Sequence, residues 1–279
     1  MKNKLIDTHL HLWDVEKLKY PWLDEVQDIR KSFDIKDYQE ATALIPIEKM
    51  IFVQCECLAE QYMDEVNYVS EIAIYDRRIA GIISWFPLEL PDAEAHLQIL
   101  LKNPLIRGIR RLEESPISLY ASYEFTDNLA LLQKYNLSFD IGVKTWQLPQ
   151  AITIVERQPE IQYMLDHCGK PDIKNAEMLQ WKANIRLLAD NPNVYCKISG
   201  LVTEAKWNNW QVDDLRPYFD FIVEQFGFNR IVFGSDWPVV NLASNYTDWF
   251  EAFLALCKDF TSEEMANILF RNASRFYRI

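Results

Sequence analysis

The feature that most restricts the fold of this 279-residue chain is a series of eight short apolar segments separated by helix-like segments. The apolar segments are rich in Ile, Val, Leu and Phe and lack the polar alternation of a strand with one face in water, which is typical of parallel strands buried on both faces. The first strand begins at Leu5, and the others are predicted at 50–54, 79–84, 105–111, 137–143, 161–166, 194–199 and 231–234.

Helical patterns occupy the intervals between these strands. They are predicted at 34–44, with Asp34 as the N-cap, and at 60–75, 91–101, 127–135, 148–157, 177–189, 215–226 and 261–276. Eight parallel strands that alternate with helices predict an α/β fold, a closed (β/α)8 TIM barrel with 261–276 as an extra C-terminal helix. A doubly wound open sheet is the alternative, although no Gly-x-Gly-x-x-Gly motif follows the first strand.

The composition fits a single domain that spans residues 1–279. Hydrophobic residues make up 49% of the chain, which is enough for a large core, and 7 Gly and 12 Pro are too few for a long flexible linker. The formal net charge of −12 repels polyanions. We therefore expect a small-molecule substrate and neither nucleic acid nor an anionic membrane as a partner. A homo-oligomer is compatible with the sequence.

Targeting and redox features favour the cytoplasm. The sequence contains no run of about 18 apolar residues and no basic segment followed by an apolar leader, so we predict neither a membrane span nor a signal peptide. The chain has 5 Cys without the spacing of a disulfide framework. An odd number of unpatterned cysteines is typical of a reducing compartment.

Two histidines stand at the end of the first predicted strand. His9 and His11 are two residues apart, and side chains in a strand alternate faces with a period of two, so both imidazoles point the same way. Such a pair is half of a site for a borderline divalent metal, or a means of polarising a carbonyl oxygen. The chain contains only 4 His, and a third, His167, closes another apolar segment.

Polar residues recur where the predicted strands end. In a TIM barrel the carboxyl ends of all strands meet at one mouth, where the active site lies. Burial of so many ionisable groups is costly unless they pair, bind metal or contact a substrate, so we interpret this set as an active site. Its members are His9, His11, Glu56, Arg110, His167, Lys197 and Asp236.

Each of these residues also has a structural interpretation. Asp236 could cap a helix or a turn, and His167 could be a hydrogen-bonded core histidine. Lys197 could pair with a neighbouring carboxylate, and Glu56 could form a structural salt bridge with Arg110. Strand alternation places the two cysteines beside Glu56 on its opposite face, so their thiols are expected among the helices.

Six motifs in these positions together resemble the amidohydrolase superfamily. Within it, the chain is similar to the branch of TIM-barrel hydrolases that contains sugar-lactone hydrolases and pyrone dicarboxylate lactonase. The similarity spans nearly the whole chain. The motifs are Asp7-Thr8-His9-x-His11-x-Trp13-Asp14, Gly108-Ile109-Arg110, Asp166-His167-x-Gly169-Lys170-Pro171, Lys197-x-Ser199-Gly200-Leu201, Gly234-Ser235-Asp236-Trp237-Pro238-Val239 and Asn272-Ala273-Ser274-Arg275-Phe276-Tyr277.

The resemblance implies a hydrolase that opens a small lactone, with His9, His11, His167 and Asp236 as its polar centre. These four residues would be metal ligands or carbonyl polarisers. The implied cofactor is one divalent ion, with Zn as the first candidate, although members of this branch without metal are also known. A binuclear site is not expected, because the fifth strand ends in Asp140-Ile141-Gly142-Val143-Lys144 and lacks the histidine found in much of the superfamily.

Lactone hydrolysis needs a base for water, a donor for the carbonyl oxygen and an acid for the leaving ring oxygen. Asp236 is our candidate for the base, and His167 would orient the water or complete the metal shell. The residues proposed to bind substrate are Glu56, Arg110, Lys197, Trp22 and Trp237. Two other functions stay open: a nonoxidative decarboxylase of the same superfamily, and an inactive barrel that serves as a binding subunit.

Overall fold

The computed structural model describes residues 4–113 and 119–279, and all eight predicted strands are present in it. Each strand pairs in parallel with the next, in the order β1 to β8. The predicted strand positions are correct to within about three residues at each end. The strands are β1 (Leu5–Leu10), β2 (Ile47–Val53), β3 (Ile79–Ser84), β4 (Ile106–Glu113), β5 (Ser138–Val143), β6 (Gln162–Leu165), β7 (Val194–Ile198) and β8 (Ile231–Phe233).

The first and last strands approach each other and nearly close the sheet. A parallel bridge joins Leu10 to Trp237, just beyond the end of β8. The backbone N–H of Asp236 donates to the carbonyl of His9 at 2.9 Å, and the N–H of His11 donates to the carbonyl of Trp237 at 2.8 Å. The predicted (β/α)8 barrel is therefore confirmed, and the open-sheet alternative is wrong.

Helices connect the strands on the outside of the barrel. They are α1 (Ile35–Ala41), α2 (Tyr62–Tyr75), α3 (Ala93–Leu100), α4 (Tyr123–Asn128), α5 (Ala130–Lys134), α6 (Leu148–Arg157), α7 (Leu179–Ala189), α8 (Val212–Phe226), α9 (Tyr246–Leu256), α10 (Ser262–Ala266) and α11 (Asn272–Tyr277). Asp34 caps α1, as predicted, because its side chain accepts the backbone N–H groups of Lys36 and Asp37. Within the described ranges, every helix is too short or too polar to cross a membrane.

The C-terminal segment is helical from Ser262 to Tyr277, and the π-helical turn Asn267–Arg271 joins α10 to α11. Thr261 begins it with a capping box, in which its hydroxyl accepts the N–H of Glu264. In α11 the ring of Tyr277 is fully buried and packs in a cluster of strand side chains. The final helix therefore packs against the strands themselves and brings a phenol close to the barrel interior.

Candidate active site

His9 and His11 bring their imidazoles together at the end of β1. The two Nε2 atoms are 3.1 Å apart, and both residues are buried. Nδ1 of His11 lies 2.7 Å from the carbonyl oxygen of Val53. Because a carbonyl can only accept, Nδ1 carries the proton and the lone pair of Nε2 faces His9. This is the arrangement in which an imidazole acts as a metal ligand.

Asp236 completes a triangle with these two imidazoles. Its Oδ1 lies 3.4 Å from Nε2 of His11 and 3.6 Å from Nε2 of His9. A tetrahedral Zn ion with ligands at about 2.0–2.1 Å needs donor atoms about 3.3 Å apart. The three separations, 3.1, 3.4 and 3.6 Å, match that edge length. The donor set His9, His11 and Asp236 therefore fits one divalent ion.

His167 lies on the other side of the Asp236 carboxylate. Its Nδ1 is 3.9 Å from Oδ2 of Asp236 and 2.9 Å from the hydroxyl of Ser199. Burial lowers the pKa of His167 to about 4, so the ring is neutral at pH 7. The carboxylate of Asp236 thus presents one oxygen to the histidine pair and the other to His167. His167 also forms a second candidate ligand group with His9 and Asp166.

Lys197 is fully buried beneath His9 and does not line the cavity that opens over the site. Its Nζ lies 2.8 Å from Oδ1 of Asp166, 3.0 Å from Oδ2 of Asp140 and 3.1 Å from Nδ1 of His9. Burial alone would lower the pKa of Lys197, but the two carboxylates raise it above its ordinary value. The structure therefore places this residue in an internal ion cluster, although the sequence led us to expect contact with substrate.

Arg110 reaches the cavity with its guanidinium in a fixed position. One Nη donates to the carbonyl of Gln54 at 2.5 Å, and the other lies 3.3 Å from Nε2 of His9 and 3.5 Å from Oδ2 of Asp166. The residue is 4% exposed. A held guanidinium next to the imidazole pair is suited to bind an oxygen of a substrate.

A cavity of about 980 Å³ opens over this centre. Its walls include most of the predicted residues: His11, Trp22, Glu56, Arg110, His167 and Asp236. The indole of Trp22 is held by a hydrogen bond to the carbonyl of Cys55 at 2.8 Å, and Glu56 accepts from the side chain of Gln54 at 2.5 Å.

Trp237 lies elsewhere than predicted. It is 2% exposed, and its ring packs edge-on against Phe33 and Tyr38, with centroids 5.4 Å away in both cases. It follows Asp236, whose backbone has a left-handed φ of 59°. Because that turn directs Asp236 into the cavity, the next side chain points away from it, and Trp237 does not line the cavity.

Strand alternation predicts that the thiols of Cys55 and Cys57 face the helices, and this prediction is wrong for Cys55. The strand β2 ends at Val53, and Glu56 adopts a left-handed φ of 54°. Cys55 consequently lines the cavity, and its sulfur lies 3.6 Å from Nδ1 of His11. Burial raises the pKa of the Cys55 thiol well above its ordinary value, which makes it an unreactive neighbour of the site.

Three buried aspartates with no predicted role support the site. Asp7 accepts hydrogen bonds from the N–H and hydroxyl of Ser235 at 2.9 and 2.6 Å, and so ties β1 to the segment that carries Asp236. Asp140 and Asp166 hold Lys197. A charged residue inside an apolar strand is the available signal for Asp7 and Asp140, because such a group must find a partner.

Glu65 on α2 is a fully buried carboxyl behind the site, and it accepts the backbone N–H of Cys55 at 3.0 Å. Burial raises its pKa from 4.5 to about 8. The folded protein therefore retains a proton that the unfolded chain releases between those values. The free energy of unfolding should fall as pH rises from 5 to 8, by at most about 1.4 kcal/mol per pH unit.

The variant Glu65→Gln should remove this dependence. We expect its stability relative to wild type to increase from pH 5 to pH 8 in urea denaturation. Glu251→Gln, an exposed position on α9, is the matched control and should show the same difference from wild type at both pH values. A Glu65→Gln difference that does not change with pH would show that this carboxyl is ionised in the folded protein.

The chain is similar to known proteins in sequence and in structure. A family model described as amidohydrolase matches residues 6–279. The L-fucono-1,5-lactonase of Burkholderia ambifaria is 30% identical over 98% of this chain and 95% of its own length. The L-fucono-1,5-lactonase of Burkholderia multivorans is 31% identical over 87% of this chain and 85% of its own. The crystal structure of an amidohydrolase from Burkholderia multivorans with bound Zn superimposes with a TM-score of 0.90, at 27% identity and 99% coverage of both chains.

Proposed function

The chain belongs to the amidohydrolase family, and from this premise we propose that it hydrolyses a sugar lactone at the mouth of its barrel. This membership confirms the resemblance inferred from the motifs. The observation that carries the proposal is the Asp236 carboxylate between two imidazoles and His167, at the base of an open cavity. The named activity of the two lactonase relatives supports the choice of substrate class.

We propose that His9, His11 and Asp236 hold one divalent ion, with zinc as the first candidate. When bound, such an ion supplies a Lewis acid for the lactone carbonyl and lowers the pKa of a water molecule. Histidine nitrogen and carboxylate oxygen are ligands that zinc accepts, and the fixed proton on Nδ1 of His11 leaves Nε2 free for the role.

Asp236 is proposed to move the proton of the reaction. Burial alone would raise its pKa, but the surrounding histidines hold the pKa below the usual range, so the carboxylate is ionised at neutral pH. Its Oδ2, on the His167 side, accepts a proton from the attacking water as the new C–O bond forms. The same proton then passes to the ring oxygen as the ring C–O bond breaks, which yields the hydroxy acid.

The remaining cavity residues bind the lactone. The guanidinium of Arg110 donates to the carbonyl oxygen or a hydroxyl group, and Glu56 accepts from a sugar hydroxyl. Trp22 offers a flat apolar face to the ring. His167, neutral at pH 7, orients the water next to Oδ2 of Asp236. We assign Lys197 and Trp237 no role in binding, because neither side chain lines the cavity.

A panel of aldonolactones tests this proposal, with a pH indicator to report acid release by the purified chain. Hydrolysis of at least one member well above its spontaneous rate is the expected result. Aromatic carboxylic acids are assayed in parallel for carbon dioxide release. Carbon dioxide without lactone opening would establish the decarboxylase instead, and the absence of both activities would favour the binding subunit.

Metal content gives a second test of the site. Protein reconstituted with zinc and then desalted should retain about one ion per chain, whereas His11→Ala should retain less than about one tenth of that. Mutation of a residue that only hydrogen-bonds a metal ligand already lowers metal affinity about 10–100-fold, and loss of the ligand itself should lower it at least as much. His96→Ala is the matched control, because His96 lies on α3 and pairs only loosely with Asp92 at 3.7 Å. Equal zinc in both variants would exclude His11 as a ligand.

A further inference from the structure

The loops that follow β5, β6 and β7 form one continuous wall of the cavity. The hydroxyl of Thr145 donates to the carbonyl of Gly169 at 3.1 Å and also contacts the carbonyl of Lys170, which joins the first two loops. The N–H of Lys174 donates to the carbonyl of Glu204 at 3.0 Å, which joins the second and third. Because its loops hold one another, this wall is formed before any ligand arrives.

Two tryptophans on this wall are exposed to an unusual degree. Trp146 is 55% exposed and Trp207 is 42% exposed, and both line the cavity. The indole N–H of Trp207 donates to the carbonyl of Thr203 at 2.7 Å, which fixes the plane of the ring. In the part of the chain that the structure describes, neither indole is in ring contact with another aromatic side chain. Large apolar faces left open beside a cavity indicate a binding surface.

The cavity is larger than a single sugar lactone. A six-carbon lactone has about 12 non-hydrogen atoms, and even at the roughly 30 Å³ that a water molecule takes in the liquid it would fill only about 360 Å³. The cavity measures about 980 Å³. More than half of it therefore remains open when one lactone ring occupies the centre.

We propose that the wall bearing Trp146 and Trp207 is a subsite for a second sugar ring, so that the substrate is a lactone with a glycosidically linked sugar. The inference rests on the proposed lactone hydrolysis and extends it. The lactone ring lies at His11 and Asp236, and the second ring packs its C–H face on the indoles. Charged and hydroxyl side chains share this wall with the tryptophans, Lys170 among them, and this mixture suits a carbohydrate better than a purely apolar group.

The test compares a disaccharide aldonolactone with the corresponding monosaccharide lactone. We expect kcat/KM for the disaccharide lactone to be at least about tenfold higher. Trp146→Ala and Trp207→Ala should each lower that value about tenfold through KM, and should change kcat/KM for the monosaccharide lactone by less than about twofold. Tyr75→Ala, an aromatic residue 89% exposed at the end of α2 and away from the cavity, is the control for loss of a surface ring.

The outcomes separate the two proposals. If the monosaccharide lactone is hydrolysed but the disaccharide lactone is no better, or if the tryptophan variants affect both substrates equally, the subsite is refuted and the lactonase stands. If neither lactone is hydrolysed by the folded, zinc-reconstituted chain, the proposed function itself fails. A selective loss on the disaccharide lactone in both variants establishes the subsite.

Discussion

Replacing Asp236 with asparagine is expected to lower kcat for lactone hydrolysis about 10³-fold, within the range observed when a general base is removed. The amide keeps the size and planarity of the side chain but cannot accept a proton from water. The backbone bonds that place this residue, including its N–H to the carbonyl of His9 at 2.9 Å, do not involve the side chain. The fold should therefore persist, which circular dichroism and the urea midpoint will show.

Zinc content must be measured on the same preparation, because the proposal gives Asp236 two roles. Its Oδ1 faces the histidine pair and its Oδ2 faces His167. If the variant keeps its zinc but loses turnover, Asp236 acts as the base. If it loses both zinc and turnover, Asp236 is needed as a ligand. Asp213→Asn, a side chain 95% exposed on α8, controls for the substitution itself. Turnover within tenfold of wild type in Asp236→Asn would contradict the assignment of the base.

Replacing Lys197 with methionine is expected to reduce the free energy of unfolding by about 3–5 kcal/mol, the range for removal of one partner from a buried ion pair. Methionine has nearly the same length but no charge. The carboxylates of Asp140 and Asp166, at 3.0 and 2.8 Å from Nζ, would then lose their buried cation. Water cannot take the place of the lost ammonium group, since both aspartates are fully buried.

The chain contains a matched control for this prediction. Lys4 pairs with Glu48 at 2.6 Å, but its side chain is 60% exposed, so Lys4→Met should cost less than about 1 kcal/mol. The triple variant Lys197→Met, Asp140→Asn, Asp166→Asn should recover part of the lost stability, because the cation and both of its carboxylates are removed together, while Arg110 loses its contact with Asp166 at 3.5 Å. Equal urea midpoints for Lys197→Met and Lys4→Met would show that the internal cluster is not energetically coupled.

Strand order and the location of the site could be predicted from the sequence because both follow from one pattern. Buried parallel strands are continuous apolar runs, and the polar residue that ends each run must lie at the carboxyl mouth of the barrel. His9, His11, Arg110, His167 and Asp236 meet there for that reason.

The positions of Trp237 and Cys55 could not be predicted in this way. Alternation holds only while the backbone stays extended, and left-handed φ values at Glu56 and Asp236 end it just where the site begins. Nothing in the local sequence marks these non-glycine residues for that conformation. The sequence allowed Lys197 to pair with a carboxylate but could not identify the partners, because Asp140 and Asp166 lie 57 and 31 positions away, on or after two other strands.

Titration of the metal-free chain with zinc, while lactone hydrolysis is followed by acid release, tests the central claim most directly. With His9, His11 and Asp236 as one ion-binding centre, the initial rate should rise linearly and stop rising at one equivalent. A rate that does not depend on zinc, or that continues to rise to two equivalents, would contradict a single-ion centre. An absence of acid release at every ratio of zinc to protein would contradict the lactonase activity.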